Sequence, residues 1–339
     1  VNAAFPHEQG SRVDSLFADF SKPASPGAAV VVAVGDATVL SRGYGLAVVE
    51  HGVGVTATTA FRLASVTKQF TAAAILTLVE EGKLYLDDRL GYLLSDVPAY
   101  ARDVRVRHLL SHTSGIPDYE PILASNDGPQ VKDRDVLGLL HQASRLYFAP
   151  GTAWRYSNSA YALLALIVER VSGERFASYL RRRIFDRAGM PTAVAHEDGA
   201  DTVANRAYGY SLSAGVWHRT DQSRTSAVLG DGGIYASAEE LTRWSAALDH
   251  NVVVSEATLT MATTPVKLSS GESTSYGFGW FLDEFRGWRR QRHEGDSVGF
   301  RTAIQRYPDV RLTVVVLVNR GVAPIDALAD GVARIYMNR

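Results

Sequence analysis

The hydrophobic pattern places strands near both ends of the chain and helices between them. Residues 28–34 form an unbroken valine-rich apolar run, too short for a helix, which predicts a buried strand. Gly35-Asp36 turns it, and 38–43 predicts the returning strand. Before them, Val13, Leu16, Phe17 and Phe20 recur at helical spacing, predicting a helix over 8–20. Glycines 43, 45, 52 and 54 mark loops or bulges around a further strand. Residues 65–81 predict a strong helix with Phe70, Ala74, Leu78 and Val79 on one face and Gly82 as its stop. From about 84 to 225, helical patterns and long loops dominate, with helices predicted at 104–111, 134–147, 157–172 and 174–187. Helices follow at 238–249 and 255–262, then strands at 277–282, 288–293, 298–307 and 312–318, and a last helix over 324–337. This order predicts an α/β (α+β) fold. Its mainly antiparallel sheet is flanked by N- and C-terminal helices and interrupted by a mostly helical insertion. The sheet domain would take residues 1–83 and 226–339, the helical domain 84–225, with an active site at their interface.

Composition narrows the function. The chain has 339 residues, and its formal net charge of −1 gives no footprint for nucleic acid. No apolar run is long enough to span a bilayer. The absence of cysteine excludes a thiol nucleophile, thiolate metal sites and disulfides. The sequence starts at Val1, for which a removed signal peptide is one explanation and trimming another. A periplasmic or secreted location is therefore expected over a cytoplasmic one. Oligomeric state is not legible.

The candidate chemistry begins at Ser65-Val66-Thr67-Lys68, where a strand end runs into a helix start. A spacing of three puts hydroxyl and amine on one face, above the positive end of the helix dipole. The bland reading is a capping serine and a surface lysine. Tyr156-Ser157-Asn158 lies at a loop–helix junction after Pro150-Gly151. A tyrosine can carry protons if nearby cations lower its pKa. The bland reading there is a loop tyrosine with an N-cap. His293-Glu294-Gly295 ends a predicted strand. Alternation puts His293 and Gly295 on one face and Glu294 on the other. His108 and His112, four apart, raise the question of zinc. They lack the glutamate of the His-Glu-x-x-His pattern and an obvious third ligand, so a hydrogen-bonded structural role is preferred and no metal is expected. Gly295-Asp296-Ser297-Val298-Gly299 mimics a nucleophile elbow. It joins strand to strand, and no histidine follows it as that fold requires.

Taken together, Ser65-Val66-Thr67-Lys68, Tyr156-Ser157-Asn158 and His293-Glu294-Gly295 resemble the three motifs of the penicillin-recognising serine hydrolases. The likeness is to the branch of class C β-lactamases, D-alanyl-D-alanine carboxypeptidases and related esterases. It extends to the flanking stretches 61–84, 106–119, 150–174 and 230–244, and from about residue 10 covers nearly the whole chain. The resemblance implies a β-lactamase/transpeptidase-like fold and a cofactor-free hydrolase of a β-lactam, a D-alanyl peptide or a small ester. Ser65 would be the acylated nucleophile, Lys68 its base and Tyr156 the second proton carrier. Asn158 would orient Lys68 and the substrate, and His293 would stand where a cationic residue usually lies. Gly295 would let substrate approach, and the N–H groups of Ser65 and Asp296 would form the oxyanion hole. The third motif departs from the usual lysine and threonine. Histidine carries only partial charge near pH 7, and Glu294 adds an anion unless it faces away. A non-catalytic module binding a peptide or protein partner is the alternative. Loops around 115–135, 205–225 and 265–275 are expected to shape the pocket.

Overall fold

The computed structural model describes residues 6–123, 125, 127–196 and 202–337. A six-stranded antiparallel sheet runs in the order Phe281–Phe285, Trp288–Ser297, Phe300–Tyr307, Leu312–Val318, Ala28–Val34 and Ala37–Tyr44. Strands from the two ends of the chain therefore lie side by side, with Val31 opposite Val315. Both faces of these central strands are covered, which is why 28–34 and 312–318 read as unbroken apolar runs. Alternate residues enter different cores. Ala28, Val30 and Val32 pack with Val13 and Val332 of the helices Pro6–Leu16 and Ile325–Tyr336. Ala29 and Val31 face the opposite way, into the core holding Phe70 and Trp244 of Lys68–Glu80 and Ala238–Asp249.

The mixed fold with an antiparallel sheet is as expected. Some element boundaries differ, for physical reasons. The helix predicted over 65–81 opens as a 3-10 turn, Ala64–Thr67, and becomes α only at Lys68–Glu80. Residues three apart nearly eclipse in a 3-10 turn, so Ser65 lies directly over Lys68. The strand predicted at 277–282 forms later, at Phe281–Phe285. Gly279, with φ of 81°, instead lets the preceding loop cross the start of the helix. A Cβ there would lie 2.8 Å from the Lys68 carbonyl oxygen. The strand predicted at 288–293 continues to Ser297 and turns at once into Phe300–Tyr307. The stretch 84–225 also contains strands its pattern hid, a mostly exposed hairpin (Tyr210–Ser213 with Val216–Arg219) and the short Val194–Ala195. The latter pairs with Ile234–Ser237, which pairs in turn with Ala60–Arg62 just before Ser65. No helix among the described residues is long and apolar enough to cross a membrane.

Candidate active site

Ser65 sits in the turn that joins the small sheet to the long buried helix. Ala64 before it has φ of 49°, left-handed for a residue with a Cβ. Such a conformation costs about 1–3 kcal/mol and persists only where its surroundings impose it. Here the Leu63 N–H donates to the Ile234 carbonyl at 2.8 Å, and Thr302 Oγ1 donates to the Leu63 carbonyl at 2.7 Å. A Cβ on Gly295 would meet that same carbonyl oxygen at 2.2 Å. Glycine at 295 is thus what lets the strand Trp288–Ser297 lie against the serine turn.

Lys68 is fully buried, and its Nζ donates to Ser65 Oγ at 3.1 Å, Asn158 Oδ1 at 2.9 Å and the Asp231 carbonyl at 2.9 Å. Nζ is thus held among three oxygens, one of them the Ser65 hydroxyl. Asn158 begins the helix Asn158–Ser172, whose N-cap Ser157 accepts from Ala160 N–H at 3.2 Å. Asp118 Oδ1 accepts the N–H groups of Asn158 and Ser159 at 3.0 and 3.1 Å, placing a carboxylate at the positive helix end. The Asn158 amide oxygen accepts from Lys68, and its side chain lies near the Glu120 carboxylate, with which it lines the same cavity.

Tyr156 stands beside both groups, with Lys68 Nζ 4.9 Å from its ring centroid, and the Lys68 and Ser65 side chains both act on its hydroxyl. Burial raises its pKa, and the pull of Lys68 does not overcome that. The sequence suggested that a cation would lower this pKa; desolvation wins instead, and the resting group is a phenol. His112 brackets the tyrosine. Its carbonyl accepts Arg155 N–H at 2.9 Å, its Nδ1 accepts Ser157 N–H at 3.2 Å, and its ring centroid lies 4.3 Å from that of Tyr156. Its φ of 59° is again left-handed. His108 plays a different part: its Nδ1 accepts Arg105 N–H at 3.2 Å at a helix start.

His293 corrects a further expectation. Burial first, then Lys68, pushes its pKa down to about 3, so it is neutral rather than partly cationic. Its Nδ1–H donates to the Glu294 carbonyl at 2.7 Å, and Nε2 accepts from the Tyr276 hydroxyl at 3.0 Å. Burial holds Tyr276 well above the usual phenol pKa, consistent with its donor role. Glu294 does not turn fully away. It is ion-paired with Arg292 yet borders the same cavity as Ser65, and burial raises its pKa despite that partner. The Asp296 side chain pairs with Arg301 at 2.7 Å.

Sequence reasoning missed a layer of support. Asp231 receives the Tyr119 hydroxyl at 2.9 Å, and burial pushes its carboxyl up to about 7. Its turn is pinned by the buried Asp133, whose carboxylate takes the N–H groups of Leu229 and Gly230, each at 2.9 Å. The signal was present in Asp118-Tyr119-Glu120 and in Gly230-Asp231-Gly232-Gly233. A Cβ on Gly230 would lie 2.3 Å from the Tyr161 carbonyl oxygen.

Ser65 borders two cavities of about 620 Å³ each and a small polar one of about 50 Å³, and Asp296 borders all of them. Glu120, Ser211, Ser223 and Thr225 come from the loops expected at 115–135 and 205–225; residues 124 and 126 of that first loop lie outside the described residues. These cavities take no wall from 265–275; Phe281 and the stretch after Gly321 supply it instead. The arrangement presents a hydroxyl and an amine in hydrogen-bond contact with a phenol beside them, the set that acyl transfer needs.

Comparison with known proteins agrees with this chemistry. The Beta-lactamase family matches residues 13–336. A penicillin-binding protein of Bacillus subtilis (strain 168) is 33% identical over 275 residues, 77% of this chain and 60% of that protein. A D-aminopeptidase of Gluconobacter oxydans (strain 621H) is 29% identical over 301 residues, 87% of this chain and 56% of that protein. The chain thus spans only 56–60% of the length of these relatives. A penicillin-binding protein homologue from Pyrococcus abyssi, described as octameric, superposes with a TM-score of 0.82 at 26% identity, over 97% of this chain and 77% of that one.

Proposed function

The chain belongs to the β-lactamase family of serine hydrolases, and on that premise we propose that it cleaves small amides or peptides bearing a free amino group beside the scissile carbonyl. The observation that supports the catalytic part is the buried Lys68, with its Nζ 3.1 Å from Ser65 Oγ and 2.9 Å from Asn158 Oδ1. In the reactive state Lys68 is the free amine and the Ser65 hydroxyl donates to it; Nζ takes that proton as Oγ attacks the carbonyl carbon. The oxyanion is received by the N–H groups of Ser65 and Asp296, each worth about 3 kcal/mol in such sites. Tyr156 gives its phenolic proton to the leaving nitrogen and is reprotonated from Lys68 as the C–N bond breaks. In the second half, water attacks the ester; its proton passes through Tyr156 to Lys68 and on to Ser65. Asn158 holds Lys68 in line, and neutral His293 shapes the wall beside Tyr156.

The substrate part rests on charge. The third-motif histidine is neutral, which disfavours a substrate carboxylate there. Arg301 borders both larger cavities but is paired with Asp296. Glu120, in contrast, is a carboxylate without an ion pair among the described residues, at the solvent-facing edge of the cavity that holds Ser65 and Asn158, where partial burial and Asp118 raise its pKa. It can meet an ammonium, as a substrate of an aminopeptidase would carry, and the D-aminopeptidase relative supports the D configuration. The test compares D-alanyl-p-nitroanilide with its N-acetyl form. The free amine is expected to be preferred by about 10-fold or more in kcat/KM, a difference of ~1.4 kcal/mol, and Glu120→Gln is expected to erase that preference. Equal rates on both substrates in the unmodified protein contradict the reading.

A further inference from the structure

The two cavities of about 620 Å³ meet at Ser65, Tyr156, Asp296 and Arg301 and otherwise differ in chemistry. One is walled mainly by hydrogen-bonding side chains, those of Glu120, Asn158, Ser211, Ser223, Thr225 and Ser297, with Val298 and two glycines completing it. The other is walled by Phe281, Ala323, Pro324, Ile325 and Ala327, with His293 at its inner end. Of its charged members, Glu294 and Asp296 are ion-paired with Arg292 and Arg301, and Asp326 is exposed beside Ile325 in the first turn of the helix Ile325–Tyr336. The aromatic wall is fixed: the Phe281 ring lies parallel to that of Tyr156 (3° between planes, centroids 6.4 Å apart) and 5.1 Å from His293.

We infer that the two lobes divide the substrate at the scissile bond, the polar lobe taking the aminoacyl half and the apolar lobe a leaving group with an apolar side chain. This deepens the reading above and rests on it. In an aminoacyl substrate the ammonium is borne on the carbon next to the attacked carbonyl. Glu120 and Asn158 border the polar lobe and not the apolar one, so the acyl half belongs with them. The leaving group must extend to the other side of Ser65, past the Tyr156 phenol that protonates it. There it meets Phe281, Pro324 and Ile325 in a volume within the usual range for small-ligand pockets. The substrate class is therefore a short peptide or amide in which an amino-terminal residue is followed by an apolar one, without need of a terminal carboxylate.

The test measures kcat/KM on D-alanyl-glycine amide and D-alanyl-leucine amide, both uncharged at the far end. Burying the leucine side chain is expected to favour that substrate by about 10- to 100-fold, in line with discrimination by apolar pockets. Ala327→Glu places a second acidic group beside Asp326 in the apolar lobe. It falls in the first turn of the helix Ile325–Tyr336, where an acidic residue suits the dipole and folding is retained. In that variant the leucine-to-glycine ratio is expected to fall close to one. A ratio near one in the unmodified protein, or one unchanged by Ala327→Glu, overturns the lobe assignment while leaving amide hydrolysis standing. Failure to hydrolyse either compound overturns the functional reading itself, and this inference with it.

Discussion

At the residue scale, the proton carriers are set in place by neighbours that never touch substrate. His112 holds the backbone on both sides of Tyr156 and faces its ring. An Nδ1 that accepts Ser157 N–H must be unprotonated, and burial drives the His112 pKa well below its ordinary value. His112→Asn keeps a side-chain acceptor and tolerates the left-handed φ, whereas His112→Phe keeps the ring and loses the acceptor. A displaced phenol costs up to about 10²-fold in rate. Accordingly, His112→Phe is expected to lose about 10- to 100-fold in kcat with little change in KM, and His112→Asn to recover most of it. Steady-state kinetics on one amide substrate checks this, and equal kcat for both variants and the unmodified protein would refute it. The identity of Ser65, Lys68 and Tyr156 as candidates was legible because local spacing and motif order suffice. His112 was visible only as a histidine one turn from another, since its contact with Tyr156 spans more than forty positions that no periodicity encodes.

Among the elements, the site is a junction. The serine turn and the strand Trp288–Ser297 approach so closely that Gly295 has a Leu63 carbonyl in the space of a Cβ. Gly295→Ala must push that strand away, moving Asp296 relative to Ser65 and so opening the proposed oxyanion site. The expected loss is roughly 10²- to 10³-fold in kcat, the scale of removing one such donor. A variant folded by circular dichroism with unimpaired turnover would show that the strand does not supply the donor. Long amphipathic helices and fully covered strands were readable from the chain, as 28–34, 238–249 and 312–318 were. The short strand Ile234–Ser237 was not, because four residues buried on every side show no alternation. The Tyr276–His293 hydrogen bond was also hidden: Tyr276 lies in a glycine-rich loop whose path depends on the helix beneath it.

Over the whole molecule, buried ionisable groups oppose one another as pH changes. Asp231, with its carboxyl raised from 3.8 to about 7 by burial, binds its proton more tightly folded than unfolded. Its contribution is therefore lost as pH rises through that window. His293 and His108 are depressed to about 3 and about 4, chiefly by burial, so stability is lost as pH falls from 6.5 toward those values. Asp231→Asn removes the first effect. Its Tm relative to the unmodified protein is expected to be higher at pH 8 than at pH 5; an identical difference at both would contradict the assignment. Joining distant parts of the chain at one sheet is also what brings residues 65, 156 and 293 together, and the account stands or falls on Ser65 as the acylated group. Acid quenching during steady turnover of p-nitrophenyl acetate, followed by peptide mass analysis, tests it most directly. The account predicts one acetyl group on the peptide containing Ser65 and neither adduct nor turnover in Ser65→Ala, whereas an acetyl group on another residue, or undiminished turnover in that variant, would contradict it.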